Sequence, residues 1–321
     1  MRNKVFSFIA AGALFAALLV HSGPARNGAA AGLRLWRELL LPSLLPWFAA
    51  AGLLSRLGVT EAAGQLLSPS LGRLFRVSPA GCGVFLLGLA GGYPAGAAAA
   101  AEAVEAGRLD KKEAEHLLRF SDNTGPAFAA GALGAGIFRS AGTGLGLWAV
   151  HALTAVLLGI CCRRGRAAPA RSGPHAASWA HSFSRAFTDA VQSAVSAVLS
   201  IGGYVTFFSA LLAVAGELGF PERAAELAAA CTGADAAILR ALFTGTLELS
   251  SGIGAMAGMA PTPAALALGS FLLGWGGLCV HLQSLAVTGK AGLDLKGRRR
   301  GKLLHGVLSA AVTYAAAWLF R

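Results

Sequence analysis

V-F-L-L-G-L-A-G-G-Y-P-A-G, residues 84–96, followed after a charged stretch by S-D-N-T-G-P, residues 121–126, decides how this chain folds. The first segment runs apolar and is cut at Gly91, Gly92, Tyr93, Pro94, Ala95 and Gly96. The chain resumes as alanine, turns charged from Arg108 to Arg119, and re-enters apolar sequence at the second. Each cut sets glycine and proline beside hydrogen-bonding side chains, in sequence apolar enough for a bilayer. Proline removes a backbone donor and clashes with the preceding turn, so a helix ends there or restarts just after it. Broken backbone is tolerated at membrane depth only where it faces protein or a watery cavity. The two breaks are therefore expected to form a binding site.

Composition agrees with a membrane setting. Of 321 residues, 55% are hydrophobic and 13% charged, with mean hydropathy +0.61, against about 25% charged in a soluble domain. This is the profile of an all-α polytopic membrane protein with the lipid bilayer as its first partner. The net charge of +12 lies mainly in short loops between apolar runs, where a cytoplasmic excess of Lys and Arg is expected. No basic groove interleaved with aromatics points to nucleic acid. Cys82, Cys231 and Cys279 stand alone and Cys161 and Cys162 are adjacent, so no metal-ligand spacing appears. No metal and no cofactor is expected.

In chain order, residues 1–38 read as an N-terminal anchor span and loop. Arg2 and Lys4 before an apolar run also fit a signal peptide cleaved at Ala25, although Pro24 makes a poor cleavage context. Residues 39–162 form a first unit. It holds an apolar run with Pro42 and Pro46, a polar stretch at 58–78, the broken segment 79–104, a charged helix near 110–119, a second broken segment at 121–138, and a plain span at 143–162. Residues 163–181 form a basic linker, expected on the cytoplasmic side. Residues 182–321 repeat the order: a span broken near Gly202 and Gly203, a polar stretch at 217–234, an apolar segment at 236–260 interrupted by E-L-S-S-G, a segment at 263–288 broken by G-W-G-G, and a closing span at 303–320.

Charge then arbitrates topology. If all nine apolar runs cross the membrane, the 27 Lys and Arg divide about 14 to 13 between its sides; if 79–104 and 236–260 are re-entrant hairpins, the division is roughly 20 to 7. The second arrangement puts the N-terminus and the basic loops inside, gives seven full spans, and makes the two units an inverted repeat.

The hairpin tips supply the expected site. Pro94 starts a descending half-helix whose free amides at Ala95 to Ala97 suit a carboxylate or phosphate. Asn123 or Thr124 can cap the half-helix begun by Pro126, Gly125 belongs to the same cluster, and Asp122 is either a cap or a coupling group. Glu248 is an acidic group in apolar sequence beside Ser250 and Ser251, and an intramembrane carboxylate is a functional candidate for substrate, cation or proton. Gln283 and Ser284 follow the Gly274–Gly277 break at the place corresponding to Asn123. His281 reads as a packed residue, Tyr93 and Trp275 as ligand-stacking or interface rings, and Arg298–Arg299–Arg300 as a cytoplasmic stop signal with lipid headgroup contact second.

G-G-Y-P-A-G, the charged helix ending R-F, S-D-N-T-G-P and the later E-L-S-S-G together resemble the YlbJ-type sporulation integral membrane proteins, within the membrane proteins that carry a nucleoside recognition (Gate) domain. The resemblance runs from Leu39 onward. Gly91 stands where Ser is frequent in the family, and the S-x-N-T core carries Asp122. The resemblance implies a fold similar to the core of concentrative nucleoside transporters, with paired re-entrant hairpins. It also implies sporulation-linked transport of dipicolinate, placing the protein in the outer forespore membrane of an endospore former.

The leading expectation is thus a transporter or permease for a small anionic solute. A nucleoside or another carboxylate would fit the same parts, and a coupling cation or proton and a homo-oligomer are compatible with it. A spore-envelope assembly protein without transport is the alternative from another class. An enzyme is not expected, because no zinc-type histidine spacing and no G-x-S-x-G is present.

Overall fold

The computed structural model describes residues 2–163 and 182–319. The basic linker expected at 163–181, with Arg164, Arg166 and Arg171, lies outside the described residues apart from Arg163. All regular structure among the described residues is helical.

Two helices of 35 residues, Ser22–Arg56 and Phe183–Glu217, lie against each other. The first overturns the loop expected before Leu39. Its opening turns read as loop because they hold Gly23, Pro24, Arg26, Asn27 and Gly28. Pro24 sits in the first turn, where a missing amide costs nothing. Gly28 and Gly32 press so closely on the other long helix that a Cβ at either would lie 2.5–2.7 Å from Ser209 or Ala213. A wide turn at Trp36–Leu40, just before Pro42, carries the helix on through the prolines. The second long helix corrects another expectation, since it does not break at Gly202 and Gly203. Gly202 instead receives the Trp36 indole, whose Nε1 donates to the Val198 carbonyl at 2.9 Å.

At both places where a hairpin is expected, the chain folds back on itself as helix, turn and helix. In the first, Ser78 caps Pro79–Gly91 by accepting from Gly81 N at 3.2 Å, and the chain turns at Gly92 (φ +78°) into Ala95–Glu105. A Cβ on Gly96 would lie 3.1 Å from Gly88 Cα, whereas eight residues of straight helix separate those positions by roughly 12 Å. In the second, Asp235 caps Ala236–Leu247 and Glu248 turns the chain into Leu249–Ala255. A Cβ on Gly252 would lie 3.2 Å from the Ala241 carbonyl. The longer arms have 13 and 12 residues, a reach of about 18–20 Å against a hydrocarbon core of about 30 Å.

A broken helix follows each hairpin. Lys111–Leu117, capped by Asp110, leads into extended backbone at 121–125 and then Pro126–Ile137; Pro263–Trp275, capped by Thr262, is interrupted at Gly276 (φ +81°) before Gly277–Thr288. A long helix closes each unit, Ala141–Cys162 and Lys296–Leu319. These two meet where Thr154 and Ser309 share a hydrogen bond of 2.6 Å. The element order therefore repeats.

Among the described residues, four helices are long and apolar enough to cross a membrane: Ser22–Arg56, Ala141–Cys162, Phe183–Glu217 and Pro263–Thr288. Val59–Phe75 and Pro79–Gly91 reach that length and hydropathy only when taken together, and they are bent by 92° to each other, as in a broken span or a re-entrant loop. That is fewer than the seven spans expected, and the closing helix shows why composition undercounts. Lys296–Leu319 buries Arg298, Lys302, His305 and Ser309 and exposes Leu303, Leu304, Val307 and Leu308. A helix polar inside and apolar outside is built for lipid even though its mean hydropathy is low.

Candidate functional site

The hairpin tips and the helix breaks converge. Gly92 lies against Gly125, and Gly277 against the Gly245 carbonyl and Leu249 amide; a Cβ at either glycine would come within 3.0 Å of those atoms. The two halves are also joined directly. The Tyr93 hydroxyl donates to the carbonyls of Leu273 (3.0 Å) and Gly274 (3.2 Å), and Thr124 Oγ1 donates to the same Leu273 carbonyl at 2.8 Å.

Between the tips lies a central cavity of about 50 Å³. Seven residues expected at the site line it: Gly92, Tyr93, Thr124, Gly125, Glu248, Ser250 and Gln283, with Phe128 and Ile201 among the apolar walls. Gly91, Pro94 and Ala95 line a second cavity of about 300 Å³ beside the first hairpin, together with Arg56 and Glu102. Gln283 and Ile201 line both. Ser251 lines a third cavity of about 490 Å³, beside the second hairpin, with Arg240 and Glu222.

The remaining expected residues sit behind the central cavity in a sealed polar network. Asp122 Oδ1 accepts from Ala97 N at 3.2 Å. Its Oδ2 accepts from Ser284 Oγ (2.8 Å) and from Arg298 Nε (2.8 Å) and Nη2 (2.6 Å). The amides read as a ligand site at Ala95 to Ala97 are thus largely used internally, since Ala95 N donates to the Gly92 carbonyl. Gly96 packs on Ser121 and Asp122. Asn123 donates to the Phe120 carbonyl and accepts from Lys302 Nζ at 3.2 Å.

Lys302 Nζ has two further acceptors, the Asp122 carbonyl at 2.8 Å and His305 Nδ1 at 3.0 Å. Three acceptors match the three protons of an ammonium. His305 then carries its proton on Nε2 and donates to the His151 carbonyl at 2.9 Å, while His151 Nε2 accepts from Thr124 N at 3.2 Å. The bonding pattern fixes both tautomers. The two rings stack 4.2 Å apart. His281 is packed as expected, with its Nδ1 on Arg298 Nη1 and its ring 4.3 Å from that of Trp275.

One curated relative of this chain is the sporulation integral membrane protein YlbJ of Bacillus subtilis (strain 168), 29% identical over 92% of this chain and 78% of its own length. The chain is similar to that protein over nearly its whole length, and its long apolar helices are those of an integral membrane protein. No family model matches it, and no solved structure does.

In this chain, Arg298 and Lys302 are the residues that sequence composition misplaces. Both are 0% exposed, as is Asp122, so Arg298 is no stop signal, while Arg299 and Arg300 do face outward. The missed signal is periodicity. Positions 298, 302, 305 and 309 recur at the i, i+4, i+7, i+11 spacing of one helical face, and only polar residues occupy them. Among the described residues, no group of three or more His, Cys, Asp or Glu is arranged to hold a metal ion.

Proposed function

We propose that this chain is a non-enzymatic permease that carries a small anionic solute, with dipicolinate the first to test, through the central cavity. One observation carries the reading: the cavity is walled by two hairpin tips and two helix breaks, one of each from either half, and shares Gln283 with a larger cavity beside the first hairpin. Mid-membrane sites between discontinuous helices are a recurrent transporter design. Tyr93 and Phe128 set aromatic rings in the cavity wall, which suits a flat aromatic solute, and behind the wall Arg298 bonds the Asp122 carboxylate while Lys302 donates to the Asp122 main-chain carbonyl. In this reading the hairpins dip from opposite faces of the membrane as an inverted repeat, similar to the core of nucleoside transporters, with the N-terminus inside. Removing buried Arg298 and Lys302 from the loop count still leaves roughly 18 cations to 7 in favour of that orientation. In this reading the membrane is the outer forespore membrane, and the relative's name adds the link to sporulation.

The test is uptake of labelled dipicolinate, a nucleoside and an unrelated dicarboxylate into vesicles holding the purified protein. Preferential uptake of dipicolinate, reduced at least tenfold by Gln283→Leu, supports the reading. Uptake of none of the three favours a spore-envelope assembly role. Paired cysteines at Ser68 and Lys111 check the topology: labelling from one side supports a re-entrant first hairpin, and labelling from opposite sides removes it.

A further inference from the structure

An anion entering the central cavity meets a charge balance that is already closed. Asp122 and Glu248 contribute two negative charges and Arg298 and Lys302 two positive; Arg298 holds the Asp122 carboxylate and Lys302 donates to the Asp122 main-chain carbonyl. Glu248 is as buried as Asp122 but is held differently. It is 1% exposed and lines the cavity itself. Its oxygens accept the backbone amides of Ser250 at 3.0 Å and Ser251 at 2.6 Å, with both serine hydroxyls beside them. No described Lys, Arg or His is bonded to it.

The elements packed around it offer little relief. Cys279 and His281 stand on Gly277–Thr288, and His281 is already held by Arg298. Tyr93 faces the cavity from the first tip with its hydroxyl committed to carbonyls. Arg240 lies two turns back on the same arm, at the third cavity. Residues 129–137 and 263–275 contribute no ionisable group. A second anion placed beside this carboxylate in a low-dielectric space would be strongly repelled.

We propose that Glu248 takes up one proton as the anionic solute binds and releases it as the solute leaves, so that solute and proton cross together. The step balances simply. A proton from water on the entry side joins one carboxylate oxygen, the other oxygen keeps its amide bond, and the cavity becomes net positive by one charge. An alkali cation is the poorer partner, because it needs several oxygen ligands, and both carboxylate oxygens already face amide donors at a helix N-terminus, the positive end of its dipole. This inference rests on the permease reading and identifies its coupling ion.

The experiment uses the full chain in vesicles with the membrane potential clamped, an inward acid gradient of one pH unit, labelled dipicolinate outside and a pH-sensitive dye inside. Wild type should accumulate dipicolinate up to about tenfold, the limit for one proton per solute, and acidify the interior only when solute is present. Glu248→Gln should equilibrate solute at a rate of its own without accumulating it, and Glu248→Asp, which keeps a titrating group, should retain gradient-driven accumulation. Wild-type uptake that ignores the acid gradient, follows sodium instead, or proceeds without solute-dependent acidification overturns the inference while leaving the permease standing. Accumulation by Glu248→Gln equal to wild type overturns it too. Absence of movement of dipicolinate, the nucleoside and the dicarboxylate alike under any gradient defeats the permease reading and this inference with it.

Discussion

The two hairpin tips occupy matching places in the element order and are chemically opposite. The first, at Gly92–Pro94, carries no charge of its own. The Ala97 amide behind it is satisfied by Asp122, and Asp122 is fixed by Arg298 from the far end of the chain. The second tip is itself a carboxylate, Glu248, which caps its own half-helix and has no cation bonded to it. One tip is locked by a bonded carboxylate–guanidinium pair, and the other presents a carboxylate with no cation bonded to it. Stability should therefore concentrate at the first and solute response at the second.

The sharpest way to break that contrast is Arg298→Met, which strands the Asp122 carboxylate in the interior. Losing one partner of a buried pair costs about 3–5 kcal/mol, so the variant should unfold far more readily in detergent, and adding Asp122→Asn should recover much of the loss. A loss no larger than that of Glu248→Ala would erase the distinction between the tips. Lys302→Met comes next. It leaves three acceptors without a donor, for about 2–4 kcal/mol in the same unfolding assay. Glu248→Ala removes only a cap, about 1–2 kcal/mol, yet it should reduce gradient-driven solute uptake at least tenfold. The smallest effect is expected from Tyr93→Phe. It deletes one hydroxyl shared by two carbonyls, about 0.5–1 kcal/mol, and keeps the ring that lines the cavity, so uptake should fall less than threefold.

Both hairpins and both breaks are legible in the sequence because glycine and proline interrupt apolar runs there, and those interruptions have few other physical meanings in a bilayer. Seven of the residues singled out on that basis do line the central cavity. What composition hides has a common cause. Residues 22–38 look like loop because small and polar residues dominate, but small residues are what permit two long helices to touch at Gly28 and Gly32. Gly202 looks like a break and is a seat for Trp36. Arg298 and Lys302 look like loop cations because topology rules count charge and ignore which face of a helix bears it. Their partners, Asp122 and Asn123, are 176 to 180 residues away, a distance across which no local pattern speaks.

That separation bears on how the protein is made. Asp122 reaches the membrane long before Arg298 exists; at about 5–20 residues per second, the interval is roughly 10–35 s. During it the carboxylate must stay hydrated, take up a proton, or find a temporary partner. The first break is therefore the last part of its half to settle, and it closes only when the final helix is inserted. A ribosome stalled short of the closing helix should leave a chain whose early half is threaded but loose, and open to quality-control proteases in the membrane.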